Sequence, residues 1–335
     1  MRKIRVVHYG IGHDHSGQTL RCIRKYPDVF EVVGVCEPNK EIFEKISGEK
    51  DYIGVNWMTE EEMFALEDID AAIVEAYDLD LVPYAQKCAD KGWHVHMDKS
   101  AGTDIEAYAK LLRTLRDKNL IFQIGYMYRY NPAVQYALKA VREGKLGEVY
   151  NVDAIMNTRH DAEKREWMSA LPGGDMLYLG CHMVDLVYMF MGVPDEMVRL
   201  TAHTKADGVD FDDNCFVAMK YPKGTSTARA SAMEVNGYAR RQAVICGEKG
   251  TIEICPLEPA TARECYLENH YSYGDRATPV ENLTTLGRYD EMMLDFAAFV
   301  CGEKQNPFTL EYEYILHKLV LCACGQDLDY KRNDL

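Results

Sequence analysis

Tyr178, His182 and Asp185 stand at i, i+4 and i+7 within Met176–Met191, an apolar-rich stretch that ends before Gly192. With Asp175 as N-cap after the turn Pro172-Gly173-Gly174, the stretch reads as one buried helix. That spacing puts the three polar side chains on one helix face. A phenol, an imidazole and a carboxylate on such a face either satisfy one another or carry acid–base chemistry. An imidazole ordinarily titrates near 6.5, at about the right place to exchange protons close to neutrality. Lys99, in Asp98-Lys99-Ser100, is a second candidate. An amine that ordinarily titrates at about 10.4 acts as a cationic stabiliser or relay unless burial lowers it.

A third group lies near the start. The β-branched run Ile4–Tyr9 enters Gly10-Ile11-Gly12-His13-Asp14-His15, and a helix is predicted from Ser16. Strand, glycine turn and helix suit a pyrophosphate, which approaches the glycine backbone and the positive end of the helix dipole. His15 stands where a third glycine is usual. The next predicted strand, Glu31–Cys36, ends at Glu37. An acidic group about 20 residues beyond the turn bonds a ribose 2′-hydroxyl and repels a 2′-phosphate, which favours NAD over NADP. His13 and His15 also have a metal-ligand spacing, and His94 and His96 repeat it. On the predicted strand Trp93–Met97, however, i and i+2 share a face for packing alone, and no metal is expected.

These groups need a scaffold. Helical stretches around Met63–Leu66, up to Lys91 and over Ile105–Lys118 alternate with strands Ile69–Ala76, Trp93–Met97 and Leu120–Tyr126. Repeated βα units predict a doubly wound parallel sheet that binds ligands at the carboxyl ends of its strands. Gly10, Glu37, Tyr77, Lys99 and Tyr126 fall at such ends. After the helix Asn131–Glu143 the pattern changes. Thr158–Ser169 reads as a polar loop, and strands are predicted at Gly147–Met156, Met197–His203, Cys215–Tyr221, Ser226–Met233, Arg241–Cys246 and Thr251–Cys255. They predict an α+β half with a large, mostly antiparallel open sheet, closed by helices Tyr289–Cys301 and Leu310–Ala323. The expected domains are residues 1–126 and 127–335.

Composition sets the outer bounds. A formal charge of −15 over 335 residues argues against a nucleic-acid or anionic-membrane surface. The 11 cysteines are odd in number and lack a zinc-type pairing, so reduced thiols are expected. The N-terminus lacks the long apolar run of a signal peptide or membrane span, and a cytoplasmic location is expected.

Taken in order, these motifs resemble the glucose–fructose oxidoreductase and inositol dehydrogenase (Gfo/Idh/MocA) family over nearly the whole chain. The resemblance rests on Gly10-Ile11-Gly12, the acidic end of the second strand, Ile69–Val74, and Gly92–Ser100 with its Asp98-Lys99. It continues through Tyr126–Pro132, Gly173-Gly174 followed by Gly180-x-His182-x-x-Asp185, and Gly247–Ile254. It implies a Rossmann domain that binds NAD, and a substrate domain whose sheet builds homodimers or homotetramers. It implies cofactor contacts from Gly10, Gly12, His13, His15, Glu37, Ala76, Tyr77, Asp98, Lys99 and Tyr126. Substrate contacts are implied for Lys99, Arg129, Trp167, Tyr178, His182 and Asp185.

Lys99 and His182 then match the family's catalytic lysine and histidine. Two positions depart from the pattern. Ser100 replaces a proline, and Tyr178 replaces the aspartate one turn before the histidine in inositol dehydrogenases. Tyr178 therefore joins Lys99 and His182 in the expected catalytic set, with Asp185 orienting His182 or binding substrate. The expected activity is hydride transfer between NAD and a secondary hydroxyl or ketone of a sugar, polyol or glycoside. A redox-neutral glycosidase or lyase that retains NAD, and a non-catalytic dinucleotide-binding regulator, are the alternatives.

Overall fold

The computed structural model describes residues 2–269 and 277–335. The chain divides into two compact units. The first begins with β1 (Ile4–Tyr9), α1 (Ser16–Arg24), β2 (Phe30–Cys36), α2 (Lys40–Ile46) and α3 (Glu60–Ala65). It continues with β3 (Ala71–Val74), α4 (Leu81–Lys91), β4 (His94–Met97), α5 (Ile105–Asp117) and β5 (Phe122–Ile124). Local signals set these boundaries. Asn39 and Asp104 cap α2 and α5, and Thr59 with Glu62 forms a capping box on α3. Gly92 ends α4 at φ 92°.

The strands form a parallel sheet of order β2-β1-β3-β4-β5. Ala71–Val74 is buried at every position, as expected of a strand covered on both faces. Strand order reverses between β1 and β3, so the carboxyl ends of these two strands flank the crevice where such sheets bind ligands.

The second unit contains α6 (Pro132–Arg142), β6 (Val149–Asn157), α7 (Ala162–Ser169), α8 (Cys181–Met191) and β7 (Glu196–Ala202). β8 (Asn214–Tyr221), β9 (Gly224–Ser231), β10 (Gln242–Gly247), β11 (Gly250–Ile254), β12 (Ala262–Tyr266) and β13 (Thr278–Pro279) follow. Its sheet has the order β13-β12-β11-β10-β6-β9-β8-β7. Every pairing is antiparallel except that of β6 with β9. Burial alternates along β8 and β10, leaving one face for the core, and α8 packs on β6 and β9.

Three local expectations are corrected here. Thr158–Ser169 is not all loop: Asp161 accepts a hydrogen bond from the Lys164 backbone N–H at 2.8 Å and starts α7. The central helix is not α-helical throughout, because Met176–Gly180 is a π-helical turn leading into α8. Tyr178 lies in that turn, and His182 and Asp185 lie in α8, so simple α spacing does not relate the three. Asp175 is itself helical in backbone angles and makes no side-chain cap. β12 and β13 were not foreseen.

The chain ends with α9 (Asp290–Val300) and α10 (Leu310–Ala323). Leu286–His317 and Asn333–Leu335 belong to the first unit, which otherwise comprises Met1–Met127. The cause is specific packing. Asp290 accepts from Tyr26 at 2.6 Å, the Met292 carbonyl accepts from Gln123 at 3.1 Å, and Phe296 meets the His96 ring edge-on. Tyr128–Thr285 and Lys318–Arg332 form the second unit. Among the described residues no helix is long and apolar enough to cross a membrane. All 11 cysteines are free thiols.

Candidate functional site

In the first unit, the carboxyl ends of the parallel strands gather most of the sequence-predicted site residues. Backbone bonds fix their loops. Gly10 N–H donates to the Cys36 carbonyl at 2.8 Å, His13 N–H to the Glu75 carbonyl at 3.0 Å, and Asp98 N–H to the Val74 carbonyl at 3.0 Å. Gly10 adopts φ +84°, and a Cβ there would lie 2.7 Å from the Ala76 backbone. Only glycine fits that turn. Glu37 closes it from the side, accepting from the Ile11 N–H at 2.7 Å and the Asn39 N–H at 2.8 Å. Burial raises the Glu37 carboxyl above its ordinary range, and these backbone bonds pull it back. Ala76, Tyr77 and Tyr126 complete the rim after β3 and β5.

Asp98 is the centre of a buried polar cluster. Its Oδ1 accepts from the Lys99 backbone N–H at 2.6 Å. Its Oδ2 lies 2.8 Å from His13 Nδ1 and 3.0 Å from His15 Nδ1. Glu75 Oε2 is 3.9 Å from His13 Nδ1, and Asp78 Oδ1 is 3.7 Å from His13 Nε2. Glu75, Asp78, Asp98 and Lys99 are each at most 3% exposed. Burial opposes a charge on His13, but Asp98 and Asp78 overcome it and push the imidazole up to about 10. Burial lowers His15 to about 4 against the pull of Asp98. Burial also works against ionised Asp98, yet His13 and His15 hold its carboxyl well below the usual range. Glu75, buried and facing Asp98, goes well above it.

His94 and His96 do not join this cluster. His94 Nδ1 accepts from the Ile121 N–H at 2.8 Å, and His96 Nδ1 lies 2.9 Å from Gln123 Oε1. Glu75 and Asp78 were missed in the sequence. The available signal was a glutamate inside the apolar run Ile69–Ala76.

In the second unit, His182 is 1% exposed and its ring meets Tyr128 edge-on at 5.3 Å. Asp185, three residues on, receives Arg129 through Nε and Nη2. Arg129 and Asp185, both among the expected substrate contacts, are held to each other. Trp167, on α7, meets Tyr178 edge-on at 5.5 Å, and His160 meets the same ring at 6.1 Å. Lys164 Nζ lies 3.5 Å from the Trp167 ring centre and 4.7 Å from that of Tyr178. The sequence did not single out Lys164 or Tyr128, because their relation to Tyr178 and His182 is tertiary.

A dinucleotide fits the first unit. α1 begins with no side-chain cap and no acidic residue in its first turn, which leaves its amide end electrostatically suited to a pyrophosphate. Glu37 keeps lone pairs beyond the two it gives to backbone, suited to ribose hydroxyls. Parallel sheet, glycine turn and acidic strand end together define a Rossmann nucleotide-binding unit. The family follows from the matches. Residues 4–126 match an oxidoreductase family with an NAD-binding Rossmann fold, and residues 134–253 match the GFO/IDH/MocA C-terminal domain. The chain belongs to the GFO/IDH/MocA family.

Among its relatives is a 2,7-anhydro-N-acetylneuraminate hydratase from Mediterraneibacter gnavus, 26% identical over 73% of this chain and 66% of that protein. A D-xylose 1-dehydrogenase (NADP(+)) from Haloferax volcanii is 26% identical over 45% of this chain and 46% of its own. The chain thus spans about half to two thirds of the length of these relatives. An aldose-aldose oxidoreductase from Caulobacter crescentus shares the fold, with a TM-score of 0.80, 15% identity and 96% of each chain covered.

Proposed function

We propose that the protein is an NAD-dependent oxidoreductase that acts on a secondary hydroxyl or ketone of a sugar, polyol or glycoside. The observation that carries this reading is Lys99, a fully buried amine-bearing residue at the end of β4 whose backbone N–H is held by Asp98 at 2.6 Å. A lysine just past the carboxyl end of a parallel strand stands on the rim where such sheets bind their ligands.

When bound, NAD supplies the hydride acceptor. The chain supplies binding and proton handling. Gly10 and Gly12 keep the turn free of side chains, the first turn of α1 faces the pyrophosphate, and Glu37 takes the ribose hydroxyls and disfavours a 2′-phosphate. Lys99 bonds the reacting oxygen and stabilises the negative charge that grows there as the carbinol proton leaves. His182 takes or returns that proton. Tyr178 and Trp167 offer a hydroxyl and ring faces to a sugar. Self-association through the eight-stranded sheet belongs to the same proposal. Val198 and Leu200 on β7 are 53% and 61% exposed, and light scattering would report the dimer or tetramer.

The relative named as a hydratase supports a second reading, a redox-neutral reaction that leaves the bound cofactor with no net change. Both readings are tested by following NADH when the protein meets NAD and a panel of polyols, free sugars, sugar acids and glycosides. Net NADH supports the dehydrogenase. Substrate consumption without net NADH supports the redox-neutral enzyme.

A further inference from the structure

The polar cluster around Asp98 brings two imidazoles and three carboxyl groups together in a buried space. His13 Nδ1, His15 Nδ1 and Asp98 Oδ2 converge so that potential ligand atoms of the three residues lie within 4.8 Å of one another. Both carboxylate oxygens of Glu75 and of Asp78, and Nε2 of His13, are buried without a hydrogen bond. Burying such groups unsatisfied is costly, and more so when they are charged. We propose that His13, His15 and Asp98 form a binding site for a divalent first-row metal ion, with Glu75 placed to complete its shell.

The donor set supports the assignment. Two imidazoles and one or two carboxylates suit zinc and its neighbours, whereas magnesium and calcium prefer oxygen alone. A tetrahedral shell with bonds of about 2.0–2.1 Å separates its ligand atoms by about 3.3 Å. Asp98 Oδ2 stands 2.8 and 3.0 Å from the two imidazole nitrogens, so opening the site takes a spread of a few tenths of an ångström. Glu75 Oε2, 3.9 Å from His13 Nδ1, is within reach of a fourth position. The second nitrogen of His13 faces Asp78 at 3.7 Å. A carboxylate behind a ligating imidazole is the outer partner that orients metal-bound histidines and makes them more basic.

His13 Nδ1 faces Asp98 at 2.8 Å and its Nε2 faces Asp78 at 3.7 Å, so an entering ion takes the Nδ1 side. The His15 backbone N–H, 3.2 Å from His13 Nδ1, is the contact the ion must displace. His15 retains 15% side-chain exposure while the other ligands are closed off, so entry is from its side. The ion would bind the carboxylate whose other oxygen holds the Lys99 backbone, tying the glycine turn to the end of β4.

The test uses whole protein stripped with a chelator and dialysed. Zn²⁺ uptake is measured by calorimetry, and Co²⁺ uptake by its visible spectrum. The site predicts one ion per chain and a tetrahedral or five-coordinate Co²⁺ spectrum without thiolate charge transfer. His15→Gln should weaken binding at least tenfold, while His94→Gln, outside the cluster, leaves it unchanged. Circular dichroism confirms that each variant is folded. Should His15→Gln fail that check, Glu75→Gln substitutes for it, with at least severalfold weakening expected. No uptake by the stripped protein, a thiolate spectrum, or unchanged affinity in the folded cluster variant would overturn the proposal and leave a buried polar network. NADH formation is assayed separately, so either result is independent of the proposed activity.

Discussion

Arg129 grips Asp185 through Nε and Nη2 at 2.9–3.1 Å, with both side chains 1% exposed. A buried pair of this kind is held less by its own attraction than by the cost of leaving either charge alone. Asp185→Ala should lower stability by about 3–5 kcal/mol in urea unfolding. The double variant Arg129→Met/Asp185→Leu should recover most of that loss. A single variant within about 1 kcal/mol of wild type would mean the pair is solvated in solution.

Gly10 is constrained twice, by φ +84° and by the Ala76 backbone, 2.7 Å from where an added methyl group would sit. Gly10→Ala should therefore weaken NAD binding at least tenfold and lower stability, read together by fluorescence titration and thermal unfolding. Unchanged NAD affinity would show that the turn does not form the cofactor cradle.

Glu37 is assigned to the ribose while accepting from the Ile11 and Asn39 backbone. Replacing it with Ser should shift the ratio of kcat/KM values towards NADP by tenfold or more. A ratio that does not move would assign cofactor choice elsewhere.

The fold itself should be acid-sensitive through His317. Burial holds this imidazole down to about 3, while the backbone at Ala101 and Gly102 pulls the other way. Its folded value lies below its unfolded value of about 6.5, so the unfolded chain takes up the proton first. Full stability is present above pH 6.5 and is lost progressively as pH falls towards 3. At pH 5 the loss amounts to about 2 kcal/mol from this residue. His317→Gln should remove that component from denaturant melts run between pH 7 and 5. An identical slope in the variant would show that His317 is already charged in the fold.

Periodic and punctuated features were the legible part of the sequence. β1, the glycine turn and α1 follow from a β-branched run and two glycines, and α5 and α10 follow from their amphipathic or apolar runs. α7 was hidden because Lys164, Arg165 and Glu166 read as a solvated loop, and only the Asp161 cap distinguishes it. The π-turn at Met176–Gly180 leaves no mark on spacing, so three residues assigned to one α face were not related that way. Pairs distant in the chain were illegible for a different reason. Arg129 and Asp185 are 56 residues apart, and His15 and Asp98 are 83 apart. Each half looked like an independent site residue, and only the folded sheet and helix ends show what each one binds.

The most direct test compares wild type, Lys99→Ala and His182→Ala in steady-state NADH formation with a substrate found from the panel, with NAD binding measured in parallel. Both variants should lose kcat by at least about 10²-fold, as expected when a proton-handling group is removed, with NAD affinity kept within about threefold in His182→Ala. Turnover near the wild-type rate in either variant would contradict the assignment of the proton to Lys99 and His182.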